Sequence, residues 1–192
     1  MRTMASKGEK TRADIVACAR TLFYEHGYDG TSFSQIVDAT GLFRGNIYHY
    51  FKTKDEILAA VVERYLEDYR ALLGRWEREH DEPKARLRAF VDMIVGRKAE
   101  LVHYGCPIGS LNTELGKERR ELQRMARGLF DLFRGWLAAR FEELGRSKQD
   151  AGALSLHLLG RAQGIAVISH VYQDARLLER EASQLKDWID RL

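Results

Sequence analysis

Cysteine and proline are both scarce here, with two of each in 192 residues. Cys18 and Cys106 can pair only once, which excludes a small disulfide-stapled scaffold; without an export signal both are expected as reduced thiols in a cytoplasm. So few prolines leave long stretches free to be helical. No run of ~18 uncharged apolar residues occurs, so neither a transmembrane helix nor a membrane partner is expected. The N-terminal MRTMASKGEKTR is polar and basic with no apolar run behind it, unlike a secretory signal. The glycine patterns GxGxxG and GxxxxGK[ST] are both missing, and no cofactor is expected. His103 and Cys106 have metal-like spacing, but no second pair follows, so no structural zinc site is expected. Cysteine, histidine and aspartate occur without the pattern of a catalytic triad.

Apolar residues make up 45% of the chain and charged residues 31%, a composition suited to a packed, mostly helical protein. The net charge of +3 is unevenly placed. Residues 1–54 carry eight Lys/Arg against five Asp/Glu, and the remainder is balanced at 23 of each. Arg2, Lys7, Lys10 and Arg12 are expected to precede the first helix, as a basic arm that meets phosphates or as a solvated tail.

Apolar spacing predicts helices throughout and no strands. Ile15, Val16, Ala19, Leu22 and Phe23 mark a first helix over about residues 10–26, stopped by Gly27. Ser32 and Gln35 form a capping box for a second, which buries Phe33, Ile36 and Val37. Gly41 supplies a left-handed turn into a third, over about residues 44–50, anchored by Ile47, Tyr50 and Phe51. Thr53 and Glu56 cap a fourth, long helix reaching about residue 79. Further helices are expected over about residues 83–103, after the Gly105-Cys106-Pro107 break, over about 118–144, about 149–172 and about 175–190. The fold class is all-α, with about nine helices in a three-helix head and a larger helical body. Residues 1–52 form the head and 53–192 the body, with the fourth helix as connector.

The segment TSFSQIVDATGLFRGNIYHYFKTKDEIL, from Thr31 to Leu58, has the order of a helix-turn-helix. There one helix braces a second, whose first turn reaches base edges in the major groove. With Ile47, Tyr50 and Phe51 packed inward, the outward set is Arg44, Gly45, Asn46, Tyr48 and His49. Asn pairs with adenine and Arg with guanine through two hydrogen bonds each. Gly45 removes a side chain where backbone and DNA approach, and Tyr48, His49 and Lys54 offer donors to phosphates. Gly27-Tyr28, Thr31-Ser32, Ile36, Gly41, Gly45, the run Tyr48-His49-Tyr50-Phe51, Lys54, Glu56 and Leu58 together resemble the N-terminal domain of the TetR family of bacterial transcription regulators. The resemblance covers about residues 10–60. It implies a cytoplasmic homodimer that binds a palindromic double-stranded DNA operator and leaves it when a small-molecule effector binds. By position it assigns DNA contacts to Thr31, Arg44, Asn46, Tyr48, His49 and Lys54. The family often has a small polar residue where this chain has Phe43, which cannot cap the third helix and is expected to pack inward or to lie against sugar and a thymine methyl.

In the body, Ala151, Gly152, Ala153, Gly160, Ala162, Gly164 and Ala166 on one helix, with Leu178, Leu185, Trp188 and Ile189 on the next, suggest a four-helix dimer interface. Effector-pocket candidates are Tyr104, Cys106, Asn112, Phe133, Trp136, His157, Gln163, His170 and Tyr172. Cys106, after a glycine at a helix start, is also a candidate electrophile or redox sensor, since aligned N–H groups there favour a thiolate. Three readings follow: a ligand-responsive repressor, sensing electrophiles through Cys106 in one variant; an effector-independent architectural DNA-binding protein; and an enzyme using Cys106 and His103.

Overall fold

A computed structural model describes residues 6–192, and among them every regular element is a helix. In order they are α1 (Lys7–His26), α2 (Phe33–Thr40), α3 (Arg44–Tyr50), α4 (Lys54–Glu79), α5 (Pro83–Gly96), α6 (Lys98–Tyr104), α7 (Pro107–Glu118), α8 (Arg120–Ala126), α9 (Gly128–Glu143), α10 (Lys148–Tyr172) and α11 (Ala175–Asp190). The nine-helix plan is present with two of its members broken. The helix expected over residues 83–103 stops at Gly96 and restarts after Arg97; the one expected over 118–144 breaks at Arg127, beside Gly128. Glycine is a poor helix former, and both breaks lie next to one.

The described part of the expected basic arm is helical. Ser6 and Glu9 form a capping box that starts α1 at Lys7, so Lys7, Lys10 and Arg12 are helical. Arg2 lies outside the described residues. The other expected caps are present: Ser32 with Gln35, and Gly41 in the left-handed region at φ 66°. The Thr53 hydroxyl accepts the Glu56 N–H at 3.1 Å, while the Glu56 carboxylate takes the N–H of Lys52.

The chain divides into two compact units: residues up to Glu67 with Ser110–Arg127, and Asp68–Gly109 with Gly128–Leu192. This differs from a division at residue 52, because α4 and α7 each contribute residues to both units. In the first unit Ile15, Ala19, Tyr28, Ile36, Ile47, Ile57 and Leu58 form the core, all fully buried. Phe33 and Val37 are half-buried, and Phe33 stacks on Tyr48 at 4.9 Å between centroids.

In the second unit α9 is central, packing on α5 and α10 through Leu129, Phe133, Leu137 and Phe141. By length and composition α10 is apolar enough to span a membrane. However, Arg161 sits within it, and Ala151, Leu158, Ala162 and Ala166 bury one face inside the unit. Leu178, Leu185 and Ile189 of α11, expected at a dimer interface, are fully buried in the core of their own chain. Their i, i+7 and i+11 positions fall on one face of α11, which packs on α5 and α10. Trp188, at the edge of that face, packs against Phe141 and His157.

One ionic network lies inside this unit. Arg140 is buried and bonds Glu77 at 2.7 Å and Glu143 at 2.8 Å. The Trp136 indole N–H donates to the same Glu77 oxygen at 2.8 Å. The hydrogen bond from Arg140, then that from Trp136, hold the Glu77 carboxyl below its usual pKa. A lowered carboxylate pKa contributes stability above the unfolded value near 4.5, which is lost as pH falls through the folded value. Glu77→Gln is therefore expected to lower the urea midpoint at pH 7 and to differ less from wild type at pH 3. An equal deficit at both pH values would show that the carboxylate charge is not what stabilises.

Candidate nucleic-acid interface

The α1–α2 turn is built first, because it sets where α2 and α3 lie. Gly27 ends α1 at φ 78°, and a Cβ there would stand 3.1 Å from the Glu114 carboxylate. That carboxylate accepts the backbone N–H of Tyr28 at 2.9 Å and of Asp29 at 2.7 Å. The Lys54 ammonium donates to the carbonyls of Tyr28 at 2.7 Å and Thr31 at 2.8 Å. Arg119 pairs with Asp29 at 3.0 Å and lies over the Tyr28 ring. The Tyr28 hydroxyl donates to Asp55, and burial, then that bond, push the phenol upward in pKa. Burial pushes the Lys54 ammonium downward.

Two residues assigned to DNA by position are thereby reassigned. Thr31 is 1% exposed, and its hydroxyl is directed at the carbonyls of Gly27 (2.8 Å) and Leu22 (3.2 Å). Its side chain therefore closes a turn. Lys54 spends two of its three N–H donors on the same turn, with its ammonium 4.0 Å from the Tyr28 ring centroid. The third component, Glu114, is 86 residues from its partner and has no local signal.

On this base α3 presents its first turn outward. Ile47 and Phe51 are buried and Tyr50 is half-buried, whereas Arg44, Gly45, Asn46, Tyr48 and His49 are exposed. The Arg44 guanidinium bonds the Tyr48 hydroxyl at 3.3 Å and leans over the Phe33–Tyr48 stack. A Cβ at Gly45 would meet nothing within 4 Å, so protein packing does not require a glycine there. Phe43 is at the N-cap and makes no side-chain cap; it does not pack inward, being 84% exposed.

A model of the N-terminal domain of bacterial regulatory proteins of the tetR family matches residues 15–61, and one of the C-terminal domain of LmrA/YxaF-like transcriptional regulators matches residues 83–184. This chain belongs to the TetR family. Among TetR-type relatives, the HTH-type transcriptional regulator in the lacX 3′ region of Lactococcus lactis is 28% identical, over 95% of this chain and 94% of that one. YxaF of Bacillus subtilis, another HTH-type regulator, is 25% identical over 95% and 96%. A TetR transcriptional regulator from Chloroflexus aurantiacus has a solved structure with a TM-score of 0.84, 28% identity and 96% coverage of each chain. The chain is thus a DNA-binding transcriptional regulator with an N-terminal helix-turn-helix.

TetR-type regulators of this plan carry a second domain, and here the second unit holds a small cavity of about 50 Å3, partly open to solvent. It lies where the helices break, between Arg97 and the Cys106-Pro107 start of α7. Of the sequence candidates, Cys106, Phe133 and Gln163 line it. The Gln163 carboxamide occupies the place a Cβ at Gly109 would need, 2.5 Å away. The other candidates lie elsewhere. Asn112 belongs to the first unit and donates to the Ala126 carbonyl at 3.3 Å. Trp136 is held by Glu77, and His170 by the Val102 carbonyl at 2.9 Å. His157 is exposed against Trp188, and Tyr172 is also exposed. Tyr104 meets His103 edge-on, and neither is a lining residue. Sequence reading missed Tyr69, Phe90, Met93 and Arg97, which are among the other lining residues. Tyr69 lies on the apolar seam of α4, which gave a usable signal; Arg97 marks the helix break.

Glu114→Ala would leave two backbone N–H groups of the turn without their acceptor, at a cost of about 2 kcal/mol. In a chain of this size that lowers the melting temperature by about 4–8 °C. An unchanged melting temperature would show that the turn holds without it.

Proposed function

We propose that this chain is a repressor that binds a palindromic operator as a homodimer in the cytoplasm and releases it when a small molecule enters the cavity of the second unit. The observation that carries the reading is the exposed first turn of α3, where Arg44 and Asn46 stand outward on a helix anchored by Ile47 and Phe51. These are the two side-chain types that recognise guanine and adenine with paired hydrogen bonds. Residues 1–52 do the reading, and the remainder binds effector and dimerises.

The dimer surface is best sought on α10, with α11 at its edge. Leu156, Ile168 and Tyr172 are exposed at four-residue steps with Gly160 and Gly164, where an added Cβ would meet nothing. Leu177 and Glu181 of α11 border the same groove. Small residues in a stripe let two helices approach closely, and the exposed apolar rows flanking them need covering.

The lining of the cavity favours an effector-responsive protein over an architectural one. Aromatic walls from Tyr69, Phe90 and Phe133 suit an apolar ligand, which would have to widen a space of only about 50 Å3 to enter it. Release follows if the ligand binds better to a conformation in which α4 and α7 are displaced, since both helices extend from the cavity's unit into the reader's. A second reading has its own observation: Cys106 faces this cavity, and its Sγ accepts the Gly109 N–H at 3.4 Å. Covalent modification of Cys106 would then act as the effector; release by electrophiles that persists in Cys106→Ser would refute it.

Operator binding is expected to weaken steeply with salt, as phosphate contacts release counterions. Asn46→Ala should relax preference at one symmetry-related base position, worth about 1–3 kcal/mol. Gly45→Ala should keep or raise the melting temperature, alanine being the better helix former by about 0.5–1 kcal/mol, yet weaken operator binding. Competition gel shifts on specific and random duplexes check both; equal losses on the two duplexes would remove α3 as the reader.

A further inference from the structure

Phe43 is the most exposed of the large apolar side chains in the described chain, and it sits directly before the reading turn Arg44-Gly45-Asn46. It fills the N-cap position of α3, where Ser, Thr, Asp or Asn would accept a backbone N–H and stabilise the helix. Phenylalanine makes no such bond, and the Asn46 N–H falls back on the Phe43 carbonyl at 2.8 Å. The neighbouring aromatics are partnered. Phe33 stacks on Tyr48 under Arg44, and His49 meets Tyr50 edge-on. Phe43 takes part in no ring contact among the described residues. The chain therefore forgoes a helix cap and exposes an aromatic ring at one position, so the ring has no use inside the fold.

The first turn of a reading helix is the part that reaches base edges in the major groove. The one apolar feature displayed there is the thymine C5-methyl, which aromatic and aliphatic side chains contact. We propose that Phe43 is a specificity-determining residue that packs on a thymine methyl in each operator half-site, next to the bases read by Arg44 and Asn46. The inference rests on α3 being the DNA reader. It adds apolar recognition to a surface otherwise composed of hydrogen-bonding groups, and it assigns the ring's exposure to the DNA rather than to a protein partner.

The experiment uses the full chain and an operator selected from a random duplex pool. Each thymine of that operator is replaced in turn by deoxyuridine, which lacks only the methyl. Burying one methyl group corresponds to about a fourfold change in affinity. Wild type is expected to lose about that much at one symmetry-related thymine. Phe43→Ser should bind thymine and uracil operators equally there while keeping or raising the melting temperature, because serine restores the cap. Phe43→Leu, still apolar, should retain part of the preference. If Phe43→Ser keeps the wild-type ratio, or wild type shows no preference at any thymine, the role of Phe43 is overturned and the DNA-reading assignment stands. If selection enriches no sequence, that assignment fails and this inference falls with it.

Discussion

The reader depends on how five residues of turn, Gly27 to Thr31, satisfy their backbone groups. Buried or half-buried amides need partners, and a turn between two helices cannot pair with itself throughout. Here the partners are charged side chains from elsewhere: Glu114 takes two N–H groups, and Lys54 gives to two carbonyls. Both are charge-assisted hydrogen bonds, the stronger kind. The result fixes the path from α1 into α2, and so the place of α3. A seven-residue helix has no stability of its own in water. α3 persists because Ile47 and Phe51 are buried and Tyr48 stacks on Phe33.

The second unit follows a different rule, in which interruptions of regular structure create the site. The break at Arg97 and the Gly105 turn, with φ of 79°, end backbone ladders early beside the space that Cys106, Gln163 and Tyr69 border. Arg97 itself is tied to Glu100 at 2.7 Å and reaches the Tyr69 hydroxyl at 3.4 Å, so the polar edge of the cavity is internally paired. The wall is therefore mainly apolar, with the Gln163 carboxamide and the Cys106 thiol as the polar groups nearest α7.

Local chemistry was legible in the sequence, and long-range partnership was not. The Ser32–Gln35 box, the Gly41 turn and the apolar steps of α4 each depend on residues a few positions apart, and each is present. Thr31 and Lys54 show the limit. A threonine and a lysine have the same donors whether they face a phosphate or a buried carbonyl; the choice here depends on how the turn is satisfied. Glu114 enters from 86 residues away with no motif around it. Likewise the polar residues of the body, Asn112, Trp136, His157 and His170, are spread along helices whose inward faces depend on how neighbouring helices pack. Leu178, Leu185 and Ile189 were recognisable as an apolar stripe, but a stripe does not say whether its cover is the same chain or another.

The reassignment of Lys54 changes how the head's positive charge should be understood. Counting Lys and Arg in residues 1–54 suggests a broad phosphate-binding surface. Several of these cations are engaged within the fold. Lys54 holds the turn, Arg12 lies over Phe51, Arg20 over Tyr65, and the Lys52 ammonium bonds the Tyr48 carbonyl near the end of α3. Lys7 and Lys10 on α1 and Arg44 on α3 are exposed. Contacts with carbonyls and rings leave these charges in place, so the head still attracts phosphates, but they fix several of the described side chains within the fold. On the proposed reading, discrimination then rests on the first turn of α3, where Arg44 and Asn46 stand beside an uncapped, exposed aromatic ring.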